Sequence, residues 1–143
     1  MTATTVSKPS TSIAKAAPFA AVGFALAIIV IVAGNVNVHK GENGGAQEAL
    51  STGVLCLVLA AVLFGAIVPR VKRVEATTLA LGIVAVASLV AFWSGITPVL
   101  ASAAFAVAAR SDALGGKAQT GRWLGAGAAV LAVAWTLATS HLF

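Results

Sequence analysis

Four long stretches of this chain carry no charged side chain, and they decide what it can fold into. Its nine Lys and Arg and four Asp and Glu residues are clustered. Between Lys15 and Lys40 lie 24 uncharged residues, between Glu48 and Arg70 lie 21, between Glu75 and Arg110 lie 34, and the last 21 follow Arg122. A helix crosses a hydrocarbon core of about 30 Å with about 20 mostly apolar residues, each rising 1.5 Å. A single apolar run of about 14 residues would read as a buried helix of a soluble core. Four runs of at least 21 do not. Composition points the same way, with 59% hydrophobic and 9% charged residues, where an average soluble domain has roughly 25% charged. In water, 143 residues leave too much surface exposed to hide so much apolar side chain. The chain therefore reads as one all-α domain, an integral membrane helical bundle.

Residues 1–15 are rich in Ser, Thr and Ala without an apolar period, and read as a disordered cytoplasmic tail carrying Lys8 and Lys15. The transmembrane domain then occupies 16–143. The first span, Ala16 to Val36, is longer than the 7–15-residue apolar stretch of a signal peptide, so it is expected to stay uncleaved although Ala33 and Gly34 would suit cleavage. A polar loop with a turn at Asn43-Gly44-Gly45 leads to a second span from Ala49 to Val68, stopped by Pro69. The basic loop Arg70 to Glu75 follows. As one helix, the run Ala76 to Ala109 would be about 50 Å long, so Trp93-Ser94-Gly95-Ile96-Thr97-Pro98 is read as a tight hairpin at the outer water interface. It separates a third span, Ala76 to Phe92, from a short fourth span, Pro98 to Ala109, that Arg110 would lengthen by snorkelling. A fifth span opens at Trp123 and ends near Ser140.

Charge decides between five transmembrane helices and the alternative of four. With the N-terminus cytoplasmic and five spans, Lys8, Lys15, Arg70, Lys72, Arg73, Arg110, Lys117 and Arg122 fall inside, and only Lys40 falls outside with Glu42 and Glu48. That is the asymmetry expected of short cytoplasmic loops. Four spans would put Arg110, Lys117 and Arg122 outside. The expected placement is the plasma membrane, with the N-terminus cytoplasmic and the C-terminus outside.

Chemistry is scarce. Ionisable residues inside a span usually mark an ion path or proton relay, and the expected spans contain none. Their polar residues, Ser51, Thr52, Ser88, Ser102, Thr136 and Thr139, suit backbone or interhelix hydrogen bonds. His39 and His141, with Glu42 and Glu48, fall on the outer side in no metal-ligand spacing and too near span ends to hold a haem. Glu48 suits the positive end of the second helix. Asp112 is a loop residue, and Cys56 a small packed hydrophobe. There is no G-x-S-x-G, H-E-x-x-H, Walker loop or C-x-x-C, so no catalytic, cofactor-binding or metal residue is expected. The net charge of +5 comes without a basic stripe or stacking aromatics, which argues against nucleic acid. The positive candidates are Gly121 and Gly125 of G-R-W-L-G, followed by Gly127. Their spacing lets helices approach closely, within the chain or against a partner.

The C-terminal half reads T-L-A-L-G-I-V-A-V-A-S-L-V from Thr78, then F-W-S-G-I-T-P, an alanine-rich span, a Gly-rich basic loop and G-R-W-L-G-A-G-A-A-V-L-A-V. From Ala76 to Ser140 this resembles a group of small actinobacterial multi-pass membrane proteins. No activity attaches to that group, so the resemblance implies a fold and no chemistry. The expected role is a non-enzymatic accessory or scaffold subunit of a plasma-membrane complex. The alternative is a pore-forming or transport component, holin-like or a small exporter. Expected partners are the lipid bilayer and a protein partner or homo-oligomer bound through small-residue helix faces.

Overall fold

The computed structural model describes residues 10–36, 45–111 and 115–142, and these are almost entirely helical. Lys8, His39, Lys40, Glu42, Asp112 and the Asn43-Gly44 turn signal lie outside the described residues, as does the side chain of His141. Helix α1 spans Ser10–Val36, so the tail expected to reach residue 15 is already helical from Ser10. Helix α2, Ala46–Val62, runs on through a π turn at Leu63–Ile67 into α3, Val68–Arg70. Helix α4, Val74–Ala87, tightens into a 3₁₀ segment at Ser88–Ser94. Then come α5, Ile96–Ala108, and α6, Gly116–Leu142. Among the described residues four rods are long and apolar enough to cross a membrane, Lys15–Asn35, Ala46–Arg70, Val74–Ser94 and Gly116–Thr139, and α5 is a shorter fifth.

Pro69 does not stop the second rod where the sequence suggests. A proline ring inside a helix collides with the carbonyl four residues back and cannot donate to it. The π turn removes the conflict: the Val68 N–H reaches back to the Leu63 carbonyl, five residues away. The wider turn lets the helix carry Pro69 and end at Arg70.

Contacts fix the directions. Phe19 stacks on Phe105 with ring centroids 6.4 Å apart, and the Arg122 guanidinium lies 5.0 Å from the centre of the Phe105 ring. At the other end, Phe92 meets Trp135 edge-on at 6.2 Å, and Gly95 backs onto Ala27 and Ile31. Helices α1, α4 and α6 therefore run one way, and the α2–α3 rod and α5 the other. Lys15, Arg70, Lys72, Arg73, Arg110, Lys117 and Arg122 all belong to the Phe105 end.

Helix α5 is the axis. Val99, Ala103, Ala104, Ala106 and Val107 are buried, and α1, α4 and α6 pack round it with a smaller contact from α2. At 13 residues it is about 20 Å long, short for a lipid-facing span. It touches almost no lipid, so it need not match the bilayer thickness. The surrounding rods are inside out relative to a soluble protein. Leu50, Val54, Leu57, Val90 and Val130 face outward, while the interior is largely alanine. Lipid removes the hydrophobic drive between helices, so close packing of small side chains holds them instead.

The α4–α5 turn also departs from expectation. It is one residue, Gly95, at φ 71°, a left-handed conformation that glycine adopts without penalty. Helix resumes at Ile96, so Thr97 and Pro98 occupy the first turn of α5, where proline is tolerated. The turn is not an exposed hairpin tip: Ser94 is only 7% exposed. Helix α1 continues to Val36 and α6 to Leu142, and α2 starts at Ala46. The turn is thus recessed by about one helical turn or more. A cysteine placed at Ser94, with Cys56 replaced by Ser, is expected to resist a membrane-impermeant maleimide in cells where a cysteine at Gln47 labels.

Candidate functional site

Three clusters of unusual residues exist among the described positions, and each is built from backbone proximity. The first is the crossing of α4 and α6. A Cβ added to Gly82 would lie 2.9 Å from the Gly121 Cα and 3.0 Å from its carbonyl carbon. A Cβ on Gly121 would strike the backbone of Thr78 and Leu79. Four residues on, a Cβ at Gly125 would sit 3.3 Å from the Ala101 Cα of α5. The structure therefore places Gly121 against α4 and Gly125 against α5, both within the chain, while Gly127 faces open space. Gly82, the counterpart of Gly121, has no sequence signal beyond being a glycine in an apolar run.

Thr78 sits at this crossing with 0% exposure, and its hydroxyl has no hydrogen-bond partner among the described residues. A buried unpaired hydroxyl costs about 1–3 kcal/mol. Thr78→Val keeps the shape and removes the hydroxyl. It is expected to raise stability in detergent by about 1 kcal/mol, read as a later midpoint in an SDS titration.

The second cluster lies under the recessed turn. The Cys56 thiol donates to the Ser94 carbonyl at 2.9 Å, and the Ser94 hydroxyl donates to the Ala91 carbonyl at 2.6 Å. Ser88 and Thr97 hydroxyls share a hydrogen bond at 2.8 Å. Ser88 also donates to the Ala85 carbonyl at 2.7 Å, where the α-helix gives way to 3₁₀. This seam satisfies backbone groups that the change of helix type frees. It explains why Ser, Thr and Cys fall at this depth. Ser102 and Thr136 bond carbonyls of their own helices at 2.8 and 2.7 Å, as do Ser51 and Thr139. Among the described residues the seam offers neutral hydroxyls and one thiol.

The third cluster is the basic end. Arg110 Nη1 donates to the carbonyls of Val68 and Val71, the latter at 3.3 Å. Instead of snorkelling to water, Arg110 caps the C-terminal end of α3 from the end of α5. The last carbonyls of a helix lack internal partners and carry partial negative charge, so a cation is favoured there. Arg70 bonds back to the Ala66 carbonyl at 3.1 Å. Glu75 occupies the first turn of α4, and its carboxylate lies against Gly115. Glu48 is exposed in the first turn of α2. Among the described residues no three His, Cys, Asp or Glu side chains come together as a metal site. The chain matches no protein-family model, no curated protein and no solved structure.

Proposed function

We propose that this chain is a non-enzymatic accessory or scaffold subunit of a plasma-membrane assembly, oriented with its basic end in the cytoplasm and its C-terminus outside. The observation that supports this best is the occupant of the bundle axis. A conduit through a single chain would need that axis open or lined with polar groups. Here α5 fills it with Val99, Ala103, Ala104 and Val107. A pore between copies would need a polar outer face, whereas the exposed faces of α2 and α6 present Leu50, Val54, Leu57, Val130 and Leu131. The orientation rests on the gathering of basic residues at one end, the side that short cytoplasmic loops favour.

Blue-native electrophoresis of the epitope-tagged chain, solubilised from its own membrane, tests the role. A discrete band larger than the monomer that contains other polypeptides in fixed ratio is expected, and the purified chain in liposomes should pass neither protons nor potassium. A homo-oligomer that conducts would replace this reading with the pore-forming one.

A further inference from the structure

A groove of about 370 Å³ opens to the lipid between α1 and α6, with α5 as its floor. Its walls are Phe19, Val22 and Leu26 on one side and Ala126, Ala129 and Val130 on the other. Along the walls it is about 10 Å long, and its volume is in the range of a small-molecule site. The lining is almost wholly apolar. The Ser102 hydroxyl, its polar exception, is already bonded to the Val99 carbonyl at 2.8 Å.

What the two walls share is a cation at the same end. Lys15, Phe19, Val22 and Leu26 follow spacings of four, three and four, so they form one stripe of α1. Arg122, Ala126 and Ala129 form the matching stripe of α6. Because α1 and α6 run in the same direction, both stripes end in their cation at the same mouth. The Arg122 guanidinium is held 5.0 Å over the ring of Phe105, which belongs to the groove floor. That contact holds the charge at the mouth, and a guanidinium over a ring face can still donate its N–H groups to an anion. Lys15 is exposed at the same end, one helical turn before Phe19.

We propose that this groove is a site for one anionic phospholipid. One acyl chain lies between α1 and α6 and the phosphate is held by Lys15 and Arg122. The proposal rests on the membrane-spanning reading and is independent of any scaffold role. Charge complementarity selects the occupant: a neutral helix of a second copy would leave both cations unused, whereas a lipid places a phosphate at the end that both stripes share. Basic pockets between helices at a membrane face are suited to anionic headgroups.

Native mass spectrometry of the full chain, released from micelles containing phosphatidylglycerol and phosphatidylcholine with identical acyl chains, tests it. One phosphatidylglycerol should be retained per chain, about fivefold or more over phosphatidylcholine, as expected for one to two cations at a surface. The double variant Lys15→Gln, Arg122→Gln should lose that preference. The double variant Lys72→Gln, Arg73→Gln removes as much charge from the same end outside the groove and should keep it. Ala126→Phe or Val22→Trp, filling the groove from either wall with both cations intact, should lose the bound lipid while helicity is unchanged. Inorganic phosphate should not compete. Equal retention of the two lipids, equal loss in both charge variants, a lipid that persists in the filled groove, or a dimer that excludes lipid would each overturn the proposal. Loss of the membrane topology would show in the labelling described below and not in these ratios.

Discussion

Gly121→Leu is expected to cost the bundle about 3 kcal/mol or more, at the upper end of overpacking penalties. At most buried positions an added methylene pushes a neighbouring side chain aside. Here the neighbours are backbone atoms of Thr78 and Leu79, which move only if α4 moves as a whole. The nearest atoms behind a substituted Gly121 are on the helix it must pack against. Gly82→Leu should do the same from the other side. Gly127→Leu, six residues further along α6 and facing open space, is the matched control and should be nearly neutral. The measurement is the SDS mole fraction at half-unfolding, followed by circular dichroism. Similar midpoints for Gly121→Leu and Gly127→Leu would contradict the α4–α6 crossing.

The second large effect belongs to Arg110. Arg110→Ala is expected to destabilise by about 2–3 kcal/mol, the range for hydrogen bonds to a charged group whose acceptors are then left half-buried and unpaired. The same substitution releases the end of α5 from the end of α3, and should therefore speed proteolysis in the Arg70–Glu75 loop. Arg110→Lys keeps the charge near the helix terminus but carries it on a shorter-reaching, more strongly hydrated ammonium, so it should recover part of the loss. An Arg110→Ala chain as stable as the parent would mean that the side chain serves only to reach water.

These two residues also show how far the sequence can be read. Three of the spans, the basic loops and the close-packing glycines of α6 follow from charge-free runs, Lys and Arg placement and small-residue spacing. The role of α5 does not. The turn before Pro98 and the placement of Lys and Arg mark a short span here, but hydropathy gives the same signal for a helix facing lipid and one enclosed by other helices, so nothing in it says that the 13-residue α5 lies inside. In lipid the informative property is side-chain size. The segment Val99 to Val107 is mostly Ala, Ser and Val and is buried, whereas α2 carries outward Leu50, Val54, Leu55, Leu57 and Val58. Arg110 was legible as a span-end cation, but its acceptors are 42 and 39 residues away in sequence. No local pattern encodes that pairing. The same holds for Cys56, whose partner at Ser94 exists only because the one-residue turn at Gly95 is recessed.

The central claim is that short α5 crosses the bundle, returning the chain to the side where α3 ends. Single cysteines at Gln47, Lys72 and Lys117, each in the Cys56→Ser chain, test it with a membrane-impermeant maleimide. In intact cells Gln47→Cys should label while Lys72→Cys and Lys117→Cys stay protected, and all three should label once the membrane is permeabilised. Labelling of Lys117→Cys in intact cells, with Lys72→Cys still protected, would place the two loops on opposite sides and contradict the five-helix arrangement.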